Sequence, residues 1–191
     1  MPHRLRFALL TAVTAAVTAC ASGAGSQSAA FNDADVAFLQ DMVPHHEQAV
    51  EMAKMVSDRT DRRELVELAD TIVSTQTAEV DQMQGLLADA GEEPPADGMD
   101  HGGGGGGHSG SGMPGMMSDD DMQQLQGVSG EQFDLRFLEM MTAHHEGAVE
   151  AAETVLDEGE NPEVAGLARE IIEAQEAEIE DMRTWQERWG S

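Results

Sequence analysis

The chain of 191 residues has a single cysteine, Cys20, so no intramolecular disulfide can form. Basic residues are also scarce. Ten lysines and arginines stand against 37 acidic residues, for a formal net charge of −27. A surface of that sign repels phosphate backbones, which argues against a nucleic-acid partner. It draws cations, although a charge excess by itself marks only a well-hydrated exterior. The chain has no tyrosine and only five phenylalanines, but thirteen methionines and seven histidines.

The N-terminal apolar run, Phe7 to Val17, is too short for the ~20 residues that a membrane-spanning helix needs. With Arg4 and Arg6 before it and small residues after it, residues 1–19 read as a secretory signal. "VTAC" resembles a bacterial lipobox, which would place lipid on Cys20 after cleavage. Residues 20–31, rich in Ala, Gly and Ser, then read as a flexible tether. The expected location is the cell envelope, with the exported chain held at the membrane by its lipid.

Adjacent histidines occur twice, in "MVPHHEQAV" (Met42 to Val50) and "MTAHHEGAV" (Met141 to Val149). The offset of 99 aligns two whole segments without gaps: "LADTIVSTQTAEVDQM" also falls on "LAREIIEAQEAEIEDM". Each copy reads as two helices. Asn32 or Asp33 can cap the first. Asp61 with Glu64, and Ser129 with Gln132, have capping-box spacing for the second and third. Asn161-Pro162 opens the fourth. Gly91, Gly159 and Gly190 are stop signals. The predicted architecture is an all-α, ferritin-like four-helix bundle made of two duplicated hairpins, residues 32–91 and 129–191. Residues 92–128, with six consecutive glycines, read as a Gly/His/Met-rich linker.

At about 100° per residue, His45 and His46 both fall within the apolar arc of the first helix, with Phe38, Met42, Ala49, Met52 and Val56. His144 and His145 repeat this on the third. The second helix has an apolar seam at 4-3 spacing, Leu65, Ala69, Ile72, Gln76, Glu79, Met83 and Leu86. Gln76 and Glu79 interrupt it, as Gln175 and Glu178 interrupt the seam of the fourth helix. A carboxylate there costs several kcal/mol unless paired, and the partners on offer are the histidines.

Two readings follow. The layers are hydrogen-bonded networks that set helix register, or they ligate metal. Clustering of His with Met favours metal, and imidazole with thioether selects Cu(I), with Ag(I) behaving similarly. The candidate ligands are Met42, His45, His46, Glu79 and Met83 in one hairpin and Met141, His144, His145, Glu178 and Met182 in the other. Gln76 and Gln175 stand behind them. Met52 and Met55 predict richer soft ligation in the first hairpin. Met99, His101, His108, Met113, Met116 and Met117 are auxiliary capture sites on the linker.

The doubled M-x-x-H-H-x-x-A and Q-x-x-E-[VI]-x-x-M pattern resembles the ferritin-like family known as domain-of-unknown-function 305, which includes CopM-like copper-binding proteins. The resemblance implies an exported bundle, with some members binding copper or silver through Met and His. The expected role is metal sequestration or delivery without catalysis, with metal ions and a metal-transfer protein as partners. A di-iron or manganese oxidase is the weakest alternative, because the Glu-x-x-His pairs of that ligand set are missing. A bundle serving only structure or interaction is the other.

Overall fold

The computed structural model describes residues 30–95 and 113–190. Cys20, the signal and most of the tether lie outside them, as do Met99, His101 and His108. The elements among the described residues are all helical: α1 (Asp33–Lys54), a 3-10 turn (Val56–Asp58), α2 (Arg63–Ala90), α3 (Asp119–Gln126), α4 (Glu131–Glu158) and α5 (Pro162–Trp189). None is long and apolar enough to cross a membrane. α1 pairs with α2 and α4 with α5, and the two hairpins meet mainly along α1 and α4.

Several helix ends follow local chemistry. Asn32 accepts from the Asp35 backbone N–H while the Asp35 side chain accepts from the Asn32 N–H, a complete capping box. Asn161 caps α5 ahead of Pro162. Gly91 ends α2 in the left-handed conformation, at φ 81°. α1 runs unbroken through Pro44.

Two expected capping boxes do not form. α2 starts after Arg62, not Asp61, and α4 starts after Gly130, not Ser129, both without a side-chain cap. Tertiary contacts decide both ends. Arg62 turns to the buried Asp134, with Nε 2.6 Å from Oδ2 and the guanidinium 4.2 Å from the Trp189 ring centre. The Gly130 N–H donates to the Arg59 carbonyl at 2.7 Å, with φ at +60°, where only glycine is comfortable. Residues 92–128 are also more than a linker. Ser118 and Asp121 form a capping box at the start of α3, whose Met122 and Leu125 are buried.

The hairpins are clasped at both ends by equivalent acids. Asp35 lies 99 positions before Asp134. Asp35 accepts the backbone N–H groups of Glu160 and Asn161 at 3.1 Å, from the turn of the other hairpin. Asp134 accepts Arg62 from the turn of the first.

The core is split in two. One cluster joins Phe38, Leu39 and Met42 of early α1 to Ala148, Ala152 and Val155 of late α4, with Met83, Leu87, Val164 and Ile171. The other joins Ala49, Met52 and Ala53 of late α1 to Phe133, Phe137 and Met141 of early α4, with Leu65, Ile72 and Met182. α1 and α4 therefore run antiparallel, and a polar layer separates the clusters. Asp35 ties one end of this arrangement with a buried carboxylate bound by three N–H groups. Asp35→Ala is expected to lower unfolding stability by about 2–4 kcal/mol in urea denaturation with an unchanged m value, from loss of the cap and of charge-assisted bonds.

Candidate metal centre

The histidines of each pair diverge because consecutive helical residues point about 100° apart. His46 turns inside its hairpin, and its Nε2 lies 2.9 Å from Oε2 of Glu79. His145 repeats this, with Nε2 2.7 Å from Oε2 of Glu178. His45 and His144 turn the other way, toward each other across the α1–α4 contact. Their ring centroids are 3.8 Å apart, with planes tilted by 36°. Each lies 6.3–6.4 Å from its neighbouring histidine ring. The candidate ligands formed one set per hairpin in the sequence; in the structure the four imidazoles make one continuous layer across both hairpins, all buried.

A carboxylate can only accept, so the Nε2 of His46 and of His145 carries the proton in each bond. Their neutral forms then hold a lone pair on Nδ1. Those Nδ1 atoms, together with Nδ1 of His45 and Nε2 of His144, are buried without a hydrogen-bond partner among the described residues. The same is true of both amide atoms of Gln76 and of Gln175, at the two flanks of the layer. Each such group costs about 1–3 kcal/mol. Burial pushes His45 down to about 3, helped by the charge of His46. Burial also holds His144 well below the usual histidine range, aided by His45. The central pair is therefore neutral at physiological pH, the state that ligates metal.

The methionines bracket the layer. Met42 and Met83 are buried on one side and Met141 and Met182 on the other. Met52 and Met55, expected to enrich ligation in the first hairpin, do not pack on the side of Met42 and Met83. Because α1 and α4 are antiparallel, they join the cluster of Met141 and Met182, where Met122, Met140 and Met117 also pack. Among the described residues, no three His, Cys, Asp or Glu side chains form a metal-holding group by themselves. The other donors buried near the layer are the thioethers of the flanking clusters and the Gln76 and Gln175 amides, and imidazole with thioether is a soft set.

Sequence reasoning missed the strap formed by Met113–Met117. Pro114 and Gly115, with Gly115 at φ 82°, make a tight turn closed by the Met116 N–H to the Met113 carbonyl at 3.2 Å. The Pro114 carbonyl accepts from His45 Nε2 at 3.3 Å. Gln48 holds the other end through both amide atoms: Nε2 donates to the Met117 carbonyl at 2.9 Å, and Oε1 accepts its N–H at 2.7 Å. The signal was present as a difference just after the His pair of the repeated motif, Gln48 against Gly147. Of the linker residues described, Met113 and Met117 pack against the two apolar clusters, and Met116 is half-buried.

These features define a class: a duplicated four-helix bundle with a buried His–Glu layer between methionine-bearing clusters. The chain belongs to the DUF305 family (Domain of unknown function), whose model matches residues 35–186. A DUF305 structure from Deinococcus radiodurans is 31% identical with a TM-score of 0.71, covering 83% of this chain and 99% of that one. A DUF305 protein from Streptomyces coelicolor is 34% identical with a TM-score of 0.69, covering 83% and 94%. CopM in its Cu(II)-bound form is 32% identical with a TM-score of 0.67, covering 81% and 97%. CopM structures with Cu(I) and with Ag are similar at 29% and 28% identity. No curated protein matches the chain in sequence.

The depressed central pair makes the fold sensitive to acid. Below the ordinary histidine value of 6.5 the unfolded chain takes up protons that folded His45 refuses until about 3. Stability is therefore expected to fall as pH drops through that window, by up to ~1.4 kcal/mol per pH unit for each such histidine. Thermal unfolding of metal-free protein between pH 7 and 4 measures the slope, and His45→Gln is expected to flatten it.

Proposed function

We propose that the protein is an exported, lipid-anchored metal-binding protein that holds Cu(I), and Ag(I) in the same way, for sequestration or delivery. One observation carries this reading: four buried imidazoles whose open nitrogens have no hydrogen-bond partner among the described residues, set between buried methionines. His46 and His145 have the arrangement of metal-ligating histidines, with one ring nitrogen donated to a carboxylate and the other open. In this reading Glu79 and Glu178 orient the imidazoles, and the ring nitrogens with Met42, Met83, Met141 and Met182 supply the donors. The copper- and silver-bound forms of CopM support the choice of ion. Export is supported by the Streptomyces coelicolor relative, which carries the description of a secreted protein, and by the signal pattern ending at Cys20. Met99, His101 and His108, which lie outside the described residues, would add further capture.

The test is titration of the mature protein with Cu(I), Ag(I), Cu(II) and Zn(II) against competing chelators. The expected order favours Cu(I) and Ag(I). His46→Ala with His145→Ala is expected to weaken Cu(I) binding at least 100-fold, and Glu79→Gln by about 10–100-fold, the range for outer partners of metal-bound histidines. Undiminished affinity in the histidine variants, with lowered stability, would leave the layer a register device. Loss confined to a variant lacking residues 96–112 would move binding out of the bundle.

A further inference from the structure

Among the described residues, the His layer is buried on the α1–α4 side by backbone from outside the bundle. Residues 113–117 lie in the groove between α1 and α4, directly over His45 and His144. Contact with α4 is so close that a Cβ on Gly147 would coincide with the Pro114 carbonyl. A Cβ on Gly115 would likewise run into the backbone of Ala143 and His144. Gln48 and Gly147 occupy equivalent positions in the duplicated units. In one copy this position grips Met117, and in the other the absence of a side chain seats Pro114.

A cleft of about 300 Å³ opens beside this strap, between early α1 and late α4. Its lining includes Phe38, Asp41, Glu150 and Glu158, together with Met113 and Pro114 of the strap itself. The cleft thus offers carboxylates, which attract a cation, and then a thioether, next to the residue that covers His45.

We propose that Met113–Met117 is a gate over the histidine layer, latched by Gln48 and seated on Gly147, and that the adjoining cleft is the route by which a soft monovalent cation reaches His45 and His144. While closed, Pro114 does for His45 what Glu79 does for His46: it accepts the Nε2 proton and leaves Nδ1 open. The strap is held by few bonds, the paired Gln48 contacts and the long His45 contact, so release does not require the helices to separate. This inference rests on the metal-binding reading for the identity of the traveller, but the gate over His45 is testable without metal.

The experiment uses the full mature chain and the variants Gln48→Ala and Gly147→Ala, with folding checked by circular dichroism. Carbethoxylation of His45 by diethyl pyrocarbonate, read by mass spectrometry, reports access without metal. Stopped-flow mixing with Ag(I), and transfer of Ag(I) to a chelator, report passage. Labelling of His45 is expected to rise at least tenfold in both variants, and Ag(I) uptake and release to accelerate by a similar factor. Gln48→Glu keeps the acceptor for the Met117 N–H but loses the donor to its carbonyl, and is expected to fall between. Unchanged His45 labelling in both variants would overturn the gate. Faster labelling with unchanged Ag(I) kinetics would overturn the route. If wild type takes up neither Ag(I) nor Cu(I), the metal-binding reading and the route fall together, while faster labelling would still establish the strap as the cover of His45.

Discussion

Two imidazoles, His45 and His144, are pressed together 3.8 Å apart where α1 crosses α4, and the rest of the molecule is arranged around that contact. Two like groups at that distance in a dry interior cannot both carry charge, and burial holds both neutral. The helices can meet there only because their outer neighbours, His46 and His145, turn away to carboxylates inside each hairpin. Above and below, the layer is flanked by separate apolar clusters. A bundle stabilised by burial alone would fill this level with leucine. Four imidazoles and two amides at that level, with buried atoms that have no hydrogen-bond partner among the described residues, lower stability instead.

Duplication explains the symmetry of the layer, and divergence explains what surrounds it. The two hairpins keep the His pair, the Gln and the Glu at matching positions. They differ where they touch elements outside the repeat. Arg62 reaches Asp134, whereas the matching Asn161 caps α5 and offers its backbone to Asp35. Gln48 binds the strap and Gly147 makes room for it. The methionines are also unequal. Antiparallel packing of α1 on α4 carries Met52 and Met55 to the side of Met141 and Met182, so the richer thioether supply belongs to one face of the shared layer and not to one hairpin.

Much of this was legible in the order of residues. The 4-3 seams of α2 and α5 placed Gln76, Glu79 and Gln175 in the interior, where they are buried. The helical phase of the His pairs put all four imidazoles on the apolar arc. Asn161-Pro162 and Gly91 marked helix ends because their chemistry is local. The failures came where a distant group competed. Asp61 and Ser129 have the right spacing for caps, but Arg62 is claimed by Asp134 and Gly130 by Arg59. α3 carried its own signal, Ser118 with Asp121 ahead of Met122 and Leu125, hidden by the glycine-rich composition before it.

Periodicity, spacing and the 99-residue offset were sufficient to determine that this chain makes two helical hairpins, and that each buries a His pair facing a Glu. Those properties depend on neighbours within a few turns, whose relative placement the helix itself dictates. Only the tertiary structure decided that the two pairs merge into one layer, which methionines flank which side, and that Met113–Met117 closes over His45. Each of these depends on how one hairpin docks against the other, and no spacing along the chain encodes the direction from which a separate segment arrives.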